Sequence, residues 1–104
     1  MAFVRVTTVG KVHEQLGTLV NVDGEDIVLF KRNGKLFAMN NVCAHQHFSM
    51  LHKGHIDNFE VTCPMHGWTY DIRTGQSTTG QGKVATYEVK IVGEDVRIDM
   101  PIRA

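Results

Sequence analysis

The sequence predicts an all-β protein, and three observations carry the prediction. Apolar residues fall in short runs of strand-forming types, with little helical spacing among them. Turn residues punctuate those runs, with ten glycines but only two prolines, which suits many tight turns. Asn33-Gly34 separates two such runs, and both residues tolerate the positive φ that a two-residue hairpin needs.

Taken in order, residues 3–7 form a first strand, and 9–16 have room for a single helical turn. Residues 18–22 alternate loosely and end at Asp23-Gly24. Residues 27–32, an apolar strand, run through Asn33-Gly34 into 35–40. A second helical turn is expected within 48–53, then strands at 55–57, 59–63, 68–72, 84–92 and 96–100. Gly93-Glu94-Asp95 turns between the last two. Over 85–91, Ala85, Tyr87, Val89 and Ile91 share one face and Thr86, Glu88 and Lys90 the other, a half-buried pattern. Short strands between turns predict a sandwich or barrel.

At 104 residues the chain is expected to form one domain, 1–104. A chain of this size buries roughly 60–70% of its unfolded surface, enough for one compact unit. Eleven basic side chains balance eleven acidic ones, and no basic run exists, so nucleic acid is not the expected partner. Docking should then depend little on long-range charge steering. The longest apolar runs, such as 27–30, are too short to cross a bilayer. Residues 1–5 show no export signal, so a cytoplasmic location is expected. A reducing cytosol leaves both cysteines available as ligands rather than as a disulfide.

The chemistry is concentrated in two motifs, Cys43-Ala44-His45 and Cys63-Pro64-Met65-His66. Seventeen residues separate them, and they use both cysteines of the chain. Each offers one thiolate and one imidazole. Both should lie on loops, about 42–49 and 63–67. The first has few strand formers; in the second, Pro64 cannot donate to a ladder and Gly67 permits a sharp turn. Two thiolates and two imidazoles can hold tetrahedral zinc, or a [2Fe–2S] cluster with cysteines on one iron and histidines on the other. Zinc has no use for the box that follows, Gly67-Trp68-Thr69-Tyr70-Asp71 with Thr74-Gly75. A Cys-His nucleophile pair would lack a third group to orient its base.

The two motifs and that box resemble the Rieske family. The resemblance implies three packed antiparallel sheets, with one Rieske [2Fe–2S] cluster held between two loops. It assigns Cys43 and Cys63 to the inner iron and His45 and His66 to the outer one. It also implies a one-electron carrier rather than an enzyme, taking electrons from a flavin-containing reductase and passing them to a terminal oxygenase. The same fold occurs in small subunits of assimilatory nitrite reductases, which often lack the ligands present here.

Two departures from the family stand out. High-potential members carry two extra cysteines, and a serine two residues after the second ligand histidine; here that position is Trp68. Tyr70 is kept and can still donate to a cluster sulfur. Fewer hydrogen bonds to sulfur lower the potential, so the low end of the range is expected, near about −150 mV. The loop that covers the cluster in relatives is proline-rich, whereas 75–83 has none and carries Gly80 and Gly82, which predicts a softer cover.

The remaining histidines are expected to be ordinary: His13, His52 and His55 in solvent, and His47 exposed beside the docking surface. Leu51 should be core, Met65 exposed, and Trp68 packed under the second loop. The ligand loops hold little apolar sequence, so the cluster is expected to order them.

Overall fold

The computed structural model describes residues 2–42, 49–64, 67–78 and 82–100. The predicted ligands Cys43, His45 and His66, and with them His47, Phe48, Met65 and Gly80, lie outside the described residues. The strands are β1 (Ala2–Thr8), β2 (Thr18–Val22), β3 (Glu25–Arg32), β4 (Lys35–Asn40), β5 (His55–Asp57), β6 (Glu60–Thr62), β7 (Thr69–Asp71), β8 (Thr86–Tyr87), β9 (Val89–Val92) and β10 (Asp95–Met100). Helical structure among the described residues amounts to two 3-10 turns, Val9–Lys11 and Leu51–Lys53, each inside a segment expected to hold one turn.

These strands form three antiparallel sheets, as expected: β1-β10-β9, β2-β3-β4-β8 and β5-β6-β7. The four-stranded sheet is the middle layer. On β3, Ile27 and Leu29 enter one core while Val28 and Phe30 enter the other. All four are fully buried, because the other two sheets cover both faces. A strand covered on both sides needs a continuous apolar run rather than alternation. Each such side chain contributes roughly 1.5–3 kcal/mol by leaving water. β10 has one covered face and alternates: Val96, Ile98 and Met100 are buried between Asp95, Arg97 and Asp99.

The hairpin turns follow the sequence. Asn33 and Gly34 both have positive φ (53° and 78°), and β3 and β4 pair directly up to them, Arg32 opposite Lys35.

Two expectations need correction. The strand expected over 84–92 is two strands. β8 pairs with β4 in the middle sheet, and the chain then crosses at Glu88 so that β9 pairs with β10 in an outer sheet. The Glu88 carbonyl accepts from the Asp99 amide at the crossing. The one-faced pattern over 85–91 is accordingly covered only in its middle: Tyr87 and Val89 are half-buried against the core, but Ala85 and Ile91 are exposed. The strands expected at 59–63 and 68–72 are each shorter at both ends. Asn58 takes a positive φ (56°) in the turn before β6, and Cys63 and Trp68 are released to the loop that β6 and β7 carry.

Candidate metal centre

β6 and β7 present Cys63 at the start of the loop that joins them. Thr62 and Thr69 are register partners at its base, and the Cys63 amide donates to the Trp68 carbonyl at 2.7 Å. The chain turns sharply between these points, which is why Gly67 is needed: its φ of +73° is left-handed, and a side chain there would be strained. Pro64 is exposed, where the missing amide costs nothing.

Cys63 itself is wholly buried, in the core that also holds Leu51, Val61, Tyr70 and Ile72. Trp68 is half-buried and packs against the same core, as expected. Leu51 is core, also as expected.

The other predicted loop, 42–49, starts where β4 ends. An isolated antiparallel bridge joins Val42 to Ser49, so the two ends of this predicted loop are paired. The Asn40 side chain accepts from the Val42 amide at 2.9 Å. Next to the bridge, Ser49 donates to the Asp26 carboxylate at 2.7 Å. The Asn21 amide, then this hydroxyl, hold the Asp26 carboxyl below the ordinary carboxylate range.

The chain then makes the Leu51–Lys53 turn and enters β5, whose His55 lies opposite Thr62, next to Cys63. The bases of both predicted ligand loops are thereby tied through one short segment. A third stretch joins them: the Thr78 amide donates to the Thr69 carbonyl, and the Ser77 amide to the Gly82 carbonyl. Gly82, expected to soften this cover, is thus held by Ser77 and by the Gln76 side chain.

His13 and His55 are exposed, as expected. His52 is not: it is half-buried and bonded to Asn41 through both its backbone amide and its ring. Asn41 was missed by the sequence reading. Among the described residues no group of three or more His, Cys, Asp or Glu is placed to hold a metal elsewhere.

A buried thiol at the mouth of a hydrogen-bonded loop, in apolar surroundings, suits an iron–sulfur centre: soft sulfur ligation with water kept away. Of the four predicted donors, Cys63 is the one within the described residues, and its placement fits that group.

The Rieske [2Fe-2S] domain family matches residues 2–92. The ferredoxin component of a naphthalene 1,2-dioxygenase system from Pseudomonas aeruginosa is 32% identical over 83 residues, covering 78% of this chain and 79% of that protein. Among solved structures, a ferredoxin of Sphingomonas yanoikuyae B1 superposes with a TM-score of 0.88 at 29% identity, over 96% of this chain and 100% of the other. A chain from a complex of reduced oxygenase and oxidised ferredoxin in carbazole 1,9a-dioxygenase matches with a TM-score of 0.83 at 20% identity, over 92% of this chain and 100% of the other. A nitrite reductase small subunit from Mycobacterium tuberculosis shares the fold alone, at 14% identity and a TM-score of 0.87, over 97% of each chain.

Proposed function

Because this chain belongs to the Rieske [2Fe-2S] domain family, we propose that it relays single electrons from a flavin-containing reductase to a terminal oxygenase. It is a ferredoxin, an electron carrier and not itself an enzyme. It carries one Rieske-type cluster. Cys43 and Cys63 would hold the inner iron, and His45 and His66 the outer iron. The whole of residues 1–104 acts as one domain, with its ligand loops at 42–49 and 63–67.

When bound, the cluster supplies reversible one-electron chemistry, formally neutral when oxidised and singly negative when reduced. The protein's own residues do the rest. Cys63 enters from the core, so its thiolate is kept out of water. Pro64, Gly67 and the Cys63–Trp68 hydrogen bond fix where the second loop turns. Trp68 closes the core beneath that loop.

The observation that carries this reading is the complete burial of Cys63 at a loop whose base is tied to the base of the other ligand loop. The oxygenase as partner draws support from the carbazole dioxygenase complex in which a similar fold occurs. The reductase follows from the need for a one-electron donor. Both would use one small patch in turn, so each complex should be transient. Among the described residues no helix is long and apolar enough to cross a membrane; with the thiols required reduced, we place the protein in the cytoplasm.

The test is direct. Purified protein should be red-brown and contain iron and acid-labile sulfide in equal amounts. After one-electron reduction it should show the electron paramagnetic resonance spectrum of mixed nitrogen and sulfur ligation. An NADH-dependent flavoprotein should reduce it reversibly. Colourless, zinc-loaded protein would overturn the reading.

A further inference from the structure

Resting on the reading that Cys43 and His45 are cluster ligands, we propose that Asn41 is the positioning residue for that ligand pair, its side-chain amide fixing the chain where it re-enters at Ser49 to His52, just beyond residues 43–48. Asn41 is fully buried, unusual for an amide side chain, and such a group is retained only where its hydrogen bonds are met.

They are met completely. Its backbone amide donates to the Asp26 carbonyl at 2.8 Å, and its carbonyl accepts from the Met50 and Leu51 amides, each at 3.1 Å. Its Oδ1 accepts from the His52 amide at 2.6 Å. Its Nδ2 lies 2.8 Å from Ser49 Oγ and 2.9 Å from His52 Nδ1. Asn41 therefore holds the chain on both sides of residues 43–48: it precedes them by two positions and grips 49 to 52 after them.

The direction of each bond follows from chemistry. An ionised Asp26 can only accept, so the Ser49 hydroxyl points its hydrogen at that carboxylate, 2.7 Å away. Ser49 Oγ is left to accept from Asn41 Nδ2. The His52 amide can only donate, so it faces Oδ1. The second Nδ2 hydrogen then points at His52 Nδ1, which accepts. Flipping the amide would set donor against donor at the His52 backbone, so one orientation satisfies the set. The chain Asn21–Asp26–Ser49–Asn41–His52 thus runs from β2 across β3 to the Leu51–Lys53 turn. A carboxylate at position 41 would keep the His52 amide but offer no hydrogen to Ser49 or His52 Nδ1. An alanine would offer nothing.

The experiment compares the cluster-loaded parent with Asn41→Asp, Asn41→Ala, Ser49→Ala and, as a control for general loosening, Val96→Ala, which opens a cavity in the opposite core. Two quantities are read: the rate at which an iron chelator bleaches the visible spectrum, and the g-values of the reduced protein. Outer residues that orient metal ligands typically change metal affinity about 10–100-fold when removed, so Asn41→Ala should bleach about that much faster, with Asn41→Asp and Ser49→Ala in between. The g-values should move in the Asn41 variants and stay at the parent values in Val96→Ala. If Asn41→Ala does not fold, Asn41→Asp and Ser49→Ala carry the same comparison. A loaded parent whose position-41 variants bleach no faster than Val96→Ala, with unmoved g-values, would overturn the role of Asn41 and leave the cluster reading standing. A parent without iron and sulfide would overturn the cluster reading and this proposal together.

Discussion

Thr62 and Thr69 face each other across the base of the loop that begins at Cys63, their hydroxyl oxygens 3.0 Å apart. Thr69 also contributes its carbonyl to the Thr78 amide, so this pair sits where the second predicted ligand loop meets residues 75–78. Replacing either hydroxyl removes the bond between them, and the second replacement cannot remove that bond again. Thr62→Val should lower stability by about 1 kcal/mol, and the double valine variant by less than the two single losses added. Thermal midpoints of the four loaded proteins check it; strict additivity would show that the hydroxyls do not interact.

Gly75 supports the covering loop. Its φ is +77°, and a Cβ there would lie 1.9 Å from the Val84 carbonyl oxygen, closer than any real contact. Val84 is buried in the core of Cys63, and its amide donates to the Gly75 carbonyl at 2.8 Å. Gly75→Ala should therefore cost more than the about 1–3 kcal/mol of a left-handed residue alone. It should also expose residues 75–84 to protease. A variant with the parent's thermal midpoint would contradict this.

Trp68 stands where high-potential relatives have a serine, and its half-buried side chain carries no hydroxyl to offer a sulfide. The reduction potential should lie near the low end of the range, about −150 mV. Trp68→Ser should move it upward while loosening the core against which the ring packs. Protein-film voltammetry reads the potentials of parent and variant, and thermal midpoints read the loosening; a parent potential above zero would sink the argument.

Asp71 and Arg73 are joined by hydrogen bonds of 2.9 and 3.1 Å, and Arg73 also lies over the Phe59 ring. The Arg73 guanidinium holds the Asp71 carboxyl below its ordinary value. A carboxyl depressed in the folded state stabilises above its unfolded pKa, and that contribution is lost as pH falls through the folded one. Asp71→Asn should thus be less stable than the parent at pH 7, by about 0.2–1 kcal/mol as for exposed ion pairs. The gap should begin to close as pH falls below about 3.9, the unfolded carboxylate value, and vanish once pH is below the depressed folded one. Chemical denaturation of both proteins across pH tests the sign; a gap that widened on acidification would refute it.

His52 shows where reading along the chain stops working. In sequence it is one polar residue in a loop rich in histidine, and solvent exposure was the natural expectation. Its burial depends on Asn41 and Ser49 arriving from either side of the 43–48 loop, and on Gly17 standing close to its backbone. None of these has a periodic or motif signature. Glu88 makes the same point: it lies in an unbroken strand pattern, and only the competition of β4 and β10 for pairing splits that pattern in two.

The amino-acid order alone determined the β class and the Asn33-Gly34 hairpin, and it marked Cys43, His45, Cys63 and His66 as the candidate donors, because turn chemistry and ligand chemistry are local properties of residues. Tertiary structure decided that β3 is covered on both faces, that the chain changes sheets at Glu88, and that Asn41 is buried and fully bonded. Those outcomes depend on which distant segments meet, and burial is a property of the meeting rather than of any one stretch of chain.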